Sequence, residues 1–385
     1  MNNNTQIKVA NIIEEGKLGG PQVRICAVAK ALNGCVNSTV IMPVENSKAF
    51  QHKCTLSGVP YKTFPITRIT KEWRVAFRYL IFSLLEVLQL SRTFKSEAFD
   101  LVHVSGGSWQ FKGIIAAKLA GKKVLWHLND TSMPGFIKYI FSIVSRFADG
   151  FIFASERTKN YYADLIHLDT PNFVIPAPVD VSAFDPGCKY TGEKEALDRW
   201  AGKIIVGTVA NISHVKGLDV LIRSAAKFNT QGFDVQFVVV GTIFPSQKRY
   251  YSELCKLASD LGVDNIEFVG ARDDVRPLLH RFDVYLCTSN AESSPISVWE
   301  AMAMAKPVVS TDVGDVPLYI KNNETGFIVD VGDSDAIADR LAILVENETL
   351  RQDFGQRARE IAVRELDLSR CAGSHFAAYT EILSH

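Results

Sequence analysis

The sequence predicts an α/β protein built from two doubly wound parallel sheets in succession. Its 385 residues exceed the roughly 100–200 residues of a typical domain. Short apolar runs alternate with amphipathic stretches of helix length, a pattern typical of parallel strands joined by helices. Prolines are dense from 171 to 190, where they interrupt helices and central strands alike. We therefore expect two domains joined by this segment, with ligands bound in a cleft at the carboxyl ends of both sheets.

The first alternating series precedes the proline-rich segment. Its predicted strands are Ile7–Ile13, Val36–Met42, Leu101–Val104, Val124–Leu128, Phe151–Ala154 and Phe173–Ile175, and its clearest helices are Gln22–Leu32 and Trp109–Ala120. The second series has predicted strands at Ile204–Ala210, Val235–Val240, Ile266–Val269, Val284–Cys287, Val308–Ser310 and Phe327–Val329, followed by helical sequence from about 334 to 384. The predicted domains are 1–178 and 179–365, and 366–385 forms a C-terminal helix.

Cysteine usage and hydropathy narrow the cellular context. The seven cysteines are widely spaced and include no CxxC pair, so we expect neither structural zinc nor a disulfide framework. The N-terminus lacks the basic and apolar regions of a signal peptide. No apolar run reaches the 18 residues that a membrane span needs, since Val75 to Leu90 is interrupted by charged side chains. These features predict a cytoplasmic protein.

The charge is distributed unevenly although the chain is neutral overall. Residues 1–180 carry a formal charge of +8 and the remainder −8. A basic half favours an anionic partner, although uneven surface charge without any partner is the alternative. Thr70–Leu90 reads as an aromatic, leucine-rich helix with Lys71, Arg74 and Arg78 at one end. It is predicted either as a peripheral membrane contact or as a core helix with a solvated basic end.

The segment from Ser289 to Ser310 carries the most chemistry. A loop holding Glu292 follows a strand, and Pro295 stands where a helix would begin. The N–H groups at such a helix start form an anion site suited to a diphosphate or a sugar hydroxyl. Glu292 can accept hydrogen bonds from sugar hydroxyls, and Glu300 can bind two vicinal ribose hydroxyls. A second strand–loop–helix unit, Gly207 to Ala225, places Lys216 where its cation can reach a diphosphate.

These motifs resemble the retaining GT-B glycosyltransferases of glycosyltransferase family 4. The family signature Glu-x7-Glu followed by Ala-Met-Ala-x-x-x-Pro-Val-Val matches Glu292, Glu300 and the residues after them. The resemblance implies a C-terminal domain that binds a nucleotide sugar and an N-terminal domain that binds the acceptor. It also implies a C-terminal helix that returns to the N-terminal domain, retention of configuration, and no requirement for a metal or another cofactor.

The sequence departs from the family pattern at two places on the donor side. Asn211 stands where the family usually has an arginine, and His214 or another basic residue could compensate. Asp315 and Leu318 replace a glycine and a glutamate of the family, so nucleotide or sugar preference could differ. The remaining predicted donor-binding residues are Ser293, Ser294, Ile296, Ser297 and Arg272.

The N-terminal half contributes weaker motifs. Gly19 and Gly20 match the family's Gly-Gly turn after the first strand and are predicted to bind the donor; they are not part of a GxGxxG dinucleotide motif. Gly106 and Gly107 are predicted to line the acceptor side. His127 matches a family histidine beside the transferred sugar, and a buried core histidine is the alternative. Asn129 or Asp130 could occupy the equivalent position, and both are assigned to the acceptor side.

We therefore predict a hexosyltransferase that moves a sugar to a glycan or lipid-linked glycan for surface polysaccharide synthesis. A UDP-sugar is the expected donor, because it is the commonest donor in this family. No nucleic-acid partner is expected. Two alternatives stay open at this point. One is another enzyme on the same fold, such as a nucleotide-sugar epimerase or a phosphorylase. The other is a catalytically inactive partner subunit, which Asn211 and Leu318 favour.

Overall fold

The computed structural model describes residues 6–68, 73–167, 169–188, 190, 198, 200–230 and 232–385, and only the backbone of 73–78 and 80. The described chain divides into two units. The first comprises Met1–Pro178 and Leu368–His385, and the second comprises Val179–Asp367. Lys71 and the side chains of Arg74 and Arg78 lie outside the described residues.

The first unit is built on a seven-stranded parallel sheet. Its strands are β1 (Ile7–Ile12), β2 (Val36–Pro43), β3 (Tyr61–Phe64), β4 (Leu101–Val104), β5 (Lys123–Leu128), β6 (Gly150–Phe153) and β7 (Asn172–Val174). They are hydrogen-bonded in the order β3-β2-β1-β4-β5-β6-β7. Its helices are α1 (Gly20–Ala31), α2 (Lys48–Ser57), α3 (Trp73–Ser96), α4 (Phe111–Leu119), α5 (Gly135–Val144) and α6 (Glu156–Tyr162).

The second unit is built on a six-stranded parallel sheet. Its strands are β8 (Ile204–Val209), β9 (Val235–Val240), β10 (Ile266–Gly270), β11 (Val284–Cys287), β12 (Val308–Thr311) and β13 (Gly326–Val329), in the order β10-β9-β8-β11-β12-β13. Its helices are α7 (Leu218–Asn229), α8 (Lys248–Asp260), α9 (Arg276–Arg281), α10 (Ile296–Ala303), α11 (Val316–Tyr319), α12 (Ser334–Glu346) and α13 (Glu348–Ile361). A π-helical turn, Ala362–Leu366, then leads to α14 (Leu368–Ser384) in the first unit.

Both units are parallel-sheet, Rossmann-like α/β domains, as the sequence predicts. Each sheet is buried on both faces, which explains why most strands are continuous apolar runs. Three edge strands are exceptions: β7 and β10 are half-buried throughout, and the four side chains of β3 are half-buried or exposed. The sequence does not predict β3, because a short strand at the edge of a sheet needs no apolar run.

The first sheet separates two apolar layers. On one face, α3, α4 and α5 bury a core that includes Leu90, Phe94 and Phe141. On the other, α1 and α14 pack together over β1, β4 and β5, and Tyr379 and Ile382 of α14 lie in that core. Burial of this apolar stripe accounts for the inclusion of the last helix in the first unit.

Candidate active site

The candidate donor residues lie at the carboxyl ends of the strands of the second sheet. The chain proceeds from β8 outward to β9 and β10, and then outward in the opposite direction through β11, β12 and β13. The strand order therefore reverses between β8 and β11, the position where open α/β sheets bind ligands. Lys216 follows β8 and Glu292 follows β11, so the topology brings both residues to this position.

Hydrogen bonds join the loops after β8 and β11. The hydroxyl of Thr288 donates to the carbonyl of Lys216 at 3.0 Å. The backbone N–H of Asn290 donates to Val215 at 2.7 Å, and its side-chain amide donates to His214 at 2.8 Å. Gly217 has φ +57°, and a Cβ there would lie 2.1 Å from the carbonyl oxygen of Thr288. Glycine therefore allows the two loops to approach this closely.

Lys216 and Glu292 form an ion pair. The ammonium nitrogen Nζ lies 2.5 Å from Glu292 Oε1, and both side chains are half-buried. The hydroxyl of Ser289 donates to the same oxygen at 2.9 Å. Burial alone lowers the pKa of Lys216, but the charge and hydrogen bond of Glu292 outweigh it and leave this pKa above its ordinary value. Lys216 is therefore a cation at neutral pH, and Glu292 takes one of its three N–H donors.

Helix α10 begins at Ile296, four positions after Glu292. The sequence predicts Pro295 as the first helical residue. In the structure it is the N-cap residue, one position before the helix begins. Val298 is the first α10 residue whose backbone N–H bonds within the helix, to the carbonyl of Pro295. The N–H groups of Ile296 and Ser297 precede it, at the positive end of the helix dipole. Glu300 lies more than one turn into α10 and is half-buried.

The loop after β12 supports the segment between Glu292 and α10. Asp315 donates its backbone N–H to the carbonyl of Ser293 at 3.1 Å. Gly314 has φ +52°, and a Cβ there would lie 2.2 Å from that carbonyl oxygen. Ser294 accepts a hydrogen bond from the indole of Trp299 at 3.1 Å. Ser293 and Ser294 are thus held by residues of two elements, the loop after β12 and α10.

Two of the remaining donor-side residues are bonded to the protein itself. The side-chain oxygen of Asn211 accepts the backbone N–H of Thr242 at 3.1 Å, which joins the loops after β8 and β9. Arg272, which follows β10, donates to the carbonyls of Val269 and Ala271. The exposed ring of His214 lies 3.8 Å, centroid to centroid, from that of Tyr250. In this arrangement Asn211 braces a neighbouring loop.

The two other departures from the family pattern differ in exposure. Asp315 is buried and occupies the N-cap position of α11 without a capping hydrogen bond from its side chain. Leu318, within α11, is 48% exposed. The buried Asp315 is thus the residue whose backbone N–H bonds to Ser293, whereas Leu318 faces solvent.

The candidate acceptor residues lie at the carboxyl ends of the strands of the first sheet. Its strand order reverses between β1 and β4. Gly106 and Gly107, predicted for the acceptor side, follow β4, whereas Gly19 and Gly20, predicted to bind the donor, follow β1 and begin α1. Asn129 and Asp130, after β5, approach Gly107 so closely that a Cβ there would lie 2.9 and 2.7 Å from their side-chain oxygens.

Asp130 is fixed by three donors. Its carboxylate accepts hydrogen bonds from the backbone N–H and hydroxyl of Ser108 and from the phenol of Tyr162. Burial raises the pKa of Asp130, although these bonds oppose the shift. Asn129 is half-buried beside it. The structure therefore brings Gly106, Gly107, Asn129 and Asp130 into one cluster.

His127 lies in the core, as the alternative interpretation of the sequence describes. It is completely buried on β5. Its Nε2 lies 2.5 Å from Arg24 Nη1, and its Nδ1 lies 3.3 Å from Nε2 of His103. His103 Nδ1 in turn lies 2.8 Å from the hydroxyl of Tyr379 on α14. Both ring nitrogens of His127 are thus occupied by protein groups, and we do not assign this ring to the sugar.

The histidine cluster also contains His375, and its geometry raises the question of a metal. One nitrogen from each of His103, His127 and His375 lies within 4.8 Å of the others, so the cluster could hold an ion. Arg24 argues against this. A guanidinium only donates, so Nε2 of His127 accepts and Nδ1 carries the proton that is directed at His103. That protonated nitrogen cannot ligate a metal, and the arginine charge would repel one.

Sequence reasoning missed two charged residues that the fold buries near these edges. Glu14 follows β1 and is 2% exposed; Oε1 accepts the backbone N–H of Lys112, whereas Oε2 has no partner among the described residues. Arg24 is 4% exposed, and its Nη2 likewise has none among them. A glutamate directly after a strand was a signal for the first. No local signal marked Arg24, because its partners are distant in the sequence.

Comparisons with known proteins define first the class and then the family. The fold matches that of Anabaena HepE, in a crystal structure with UDP and glucose, with a TM-score of 0.84, 20% identity, and coverage of 97% of this chain and 100% of that one. This likeness defines a GT-B fold. Two family models match the chain: "Glycosyltransferase Family 4" over residues 18–183 and "Glycosyl transferases group 1" over 192–361. The chain is a family 4-like member of the GT-B glycosyltransferases.

Curated relatives match parts of the chain. It is 28% identical over 176 residues to N-acetyl-α-D-glucosaminyl L-malate synthase of Bacillus anthracis, covering 46% of this chain and 45% of that protein. It is 30% identical over 202 residues to the lipopolysaccharide core biosynthesis mannosyltransferase LpsB of Rhizobium meliloti (strain 1021), covering 52% and 56%. The matches thus span about half the length of these relatives.

Proposed function

We propose that the protein is a retaining, metal-independent glycosyltransferase that moves a hexose from a nucleotide sugar to a glycan or lipid-linked glycan. The observation that carries the proposal is the ion pair of Lys216 and Glu292 at the switch point of the second sheet, beside the start of α10. These groups match two parts of a nucleotide sugar: the cation and the helix N-terminus suit the diphosphate and the charge it gains on leaving, and the carboxylate suits the sugar hydroxyls.

Each donor-side residue has a distinct role in this proposal. As the sugar–phosphate bond breaks, the anomeric carbon gains positive charge and the departing diphosphate gains negative charge. Lys216 and the N–H groups of Ile296 and Ser297 stabilise the diphosphate, because fixed donors in a half-buried site need little reorganisation. Glu292 orients the sugar, and Glu300 binds the ribose hydroxyls. Positioning by these carboxylates supplies much of the rate enhancement.

The acceptor is assigned to the first unit. Gly106, Gly107, Asn129 and Asp130 form a cluster of small and polar groups at the reversal of its sheet. Gly19 and Gly20, which stay assigned to donor binding, begin α1, and their missing side chains would give a ligand access to the backbone. His127 takes no part in the proposal, because Arg24 and His103 occupy its nitrogens.

UDP-sugar is the proposed donor class, and surface polysaccharide synthesis is the proposed pathway. The fold neighbour from Anabaena was crystallised with UDP and glucose, and the relative from Rhizobium meliloti is named for lipopolysaccharide core biosynthesis. Retention of configuration and independence from metal rest on the family. A cytoplasmic location, with peripheral contact to the membrane that carries a lipid-linked acceptor, fits this chemistry. Among the described residues, no helix has both the length and the apolarity to cross a bilayer.

An inactive partner subunit is the second candidate. The side-chain oxygen of Asn211, which replaces a family arginine, is bonded to Thr242. The donor site therefore has one cation fewer than the family pattern. A chain with this site could bind a nucleotide without transferring sugar.

The two candidates differ in nucleotide release. Purified protein is incubated with a panel of nucleotide sugars, with and without Glu292→Ala, and the released nucleoside diphosphate is measured. We expect slow hydrolysis of one donor that Glu292→Ala abolishes and Glu253→Ala, a change on the exposed side of α8, preserves. Nucleotide binding without release from any donor would support the inactive subunit instead.

A further inference from the structure

The helices on one face of the first sheet are apolar on two sides. Helix α3 buries Val87, Leu90 and Phe94 against the sheet. Its opposite side carries five large apolar side chains that are 38–67% exposed: Ile81, Phe82, Leu84, Leu85 and Leu88. A helix that packs on one side only normally presents polar residues on the other. The second apolar stripe of α3 therefore needs an explanation beyond folding.

The neighbouring helices continue the pattern. Helix α5 buries Ile137, Phe141 and Val144. Its outer side exposes Phe136 (69%), Tyr139 (66%) and Ile143 (44%), and Phe147 in the turn after α5 is 50% exposed. Helix α4, which contacts both α3 and α5, exposes Ile115 and Leu119. We call the exposed apolar residues of α3, α4, α5 and this turn the outer face.

The exposed charges on the elements of the outer face have one sign where their side chains are described. The only acidic residue in the sequences of α3, α4, α5 and the following turn is Glu86. It is buried, and it is neutralised by an ion pair with Lys112. The exposed charged residues with described side chains on these elements are all basic: Arg92, Lys95, Lys138 and Arg146. An apolar surface with a cationic rim matches the chemistry of an anionic bilayer surface.

We propose that the outer face is a docking surface for anionic lipid, with its aromatic and aliphatic side chains inserted at the level of the headgroups. Aromatic residues such as Phe136 and Tyr139 favour this interface, and the basic residues bind lipid phosphates. A second copy of the chain is a poorer occupant, because a symmetric contact would bring these basic residues together without carboxylates. The inference rests on the proposed function in one respect: docking would place the acceptor domain beside a lipid-linked glycan.

The test compares two substitutions at equally exposed positions. Phe136 on α5 and Leu56 on α2 are both 69% exposed, and Leu56 lies outside the outer face. Full-length protein and its Phe136→Asp and Leu56→Asp variants are floated with vesicles of phosphatidylcholine, alone and mixed with phosphatidylglycerol. We expect wild type to bind the mixed vesicles, Phe136→Asp to bind at least about tenfold more weakly, and Leu56→Asp to match wild type. Lys138→Gln with Arg146→Gln should weaken binding to the mixed vesicles most strongly at low salt.

Three outcomes would overturn the proposal: no binding of wild type to mixed vesicles, equal losses in both aspartate variants, or a dimer in sedimentation that Phe136→Asp dissociates. Nucleotide release is measured on the same samples and separates this inference from the proposed function. Release without vesicle binding would reject the docking surface alone. Vesicle binding without release from any donor would reject the transferase and leave the surface intact.

Discussion

Lys216 contacts Glu292 at 2.5 Å, although 76 positions separate them in the sequence. The pair joins the loop that begins α7 to the loop that begins α10. Its two members are assigned to different parts of the donor, the diphosphate and the sugar. In the proposed function Lys216 contacts both this carboxylate and the diphosphate, whereas Glu292 contacts only the sugar, so the two roles can be separated by experiment.

Lys216→Met and Glu292→Gln should affect nucleotide binding differently. Lys216→Met removes a charge-assisted bond, so UDP affinity should fall about tenfold or more. Glu292→Gln removes a competing carboxylate and no nucleotide contact, so UDP affinity should be unchanged or higher. It should nevertheless lower donor turnover by about a hundredfold, a typical effect of losing one electrostatic contact to a transition state. Calorimetry with UDP and nucleotide-release rates measure the two effects, and an equal loss of UDP affinity in both variants would contradict the assignment.

Gly217→Ala should disturb the approach of the two loops. Its left-handed backbone costs about 1–2 kcal/mol for alanine, and the new Cβ would meet the Thr288 carbonyl at 2.1 Å. Gly262→Ala is the matched control, since Gly262 has φ +66° and a Cβ added there would meet no atom within 4 Å. We expect both variants to lower the melting temperature and only Gly217→Ala to reduce nucleotide release. Equal retention of release would show that the loop contact does not position Lys216.

Much of the donor edge could be predicted because its signals are local. Glu292, Glu300 and Lys216 each follow a strand and stand in or before a helix, and parallel topology brings such positions to one edge. The direct bond between Lys216 and Glu292 could not be predicted, because it depends on the register of two loops. The hydrogen bond between Thr242 and Asn211 could not be predicted for the same reason.

His127 shows where local sequence fails. A histidine at the end of a strand could face either ligand or core. His127 faces the core, where it contacts Arg24 on α1 and His103 on β4. His103 in turn bonds to Tyr379, which lies 276 positions later in the sequence. Only tertiary packing places these side chains together.

The buried histidines should make the first unit sensitive to acid. Burial, aided by the charge of Arg24, lowers the pKa of His375 to about 4. An unfolded chain has a histidine pKa of about 6.5, so the stabilisation is complete above pH 6.5 and is lost as the pH falls towards 4. As the pH falls from 8 to 5, this residue alone should lower the free energy of unfolding by about 2 kcal/mol. His375→Asn should reduce that loss in urea titrations, whereas His52→Asn, on the exposed side of α2, should not.

Glu14 should have the opposite pH dependence. Burial, only partly offset by Lys112, raises its pKa to about 7 from about 4.5 in an unfolded chain. The folded chain therefore favours the neutral carboxyl, and stability is lost as the pH rises from 4.5 through 7. Glu14→Gln keeps an acceptor for the Lys112 backbone N–H and cannot ionise. Between pH 5 and 8, wild type should lose about 2–3 kcal/mol relative to Glu14→Gln in urea unfolding. The exposed Glu97→Gln serves as the control, and parallel pH profiles for wild type and Glu14→Gln would show that Glu14 ionises normally in the folded protein.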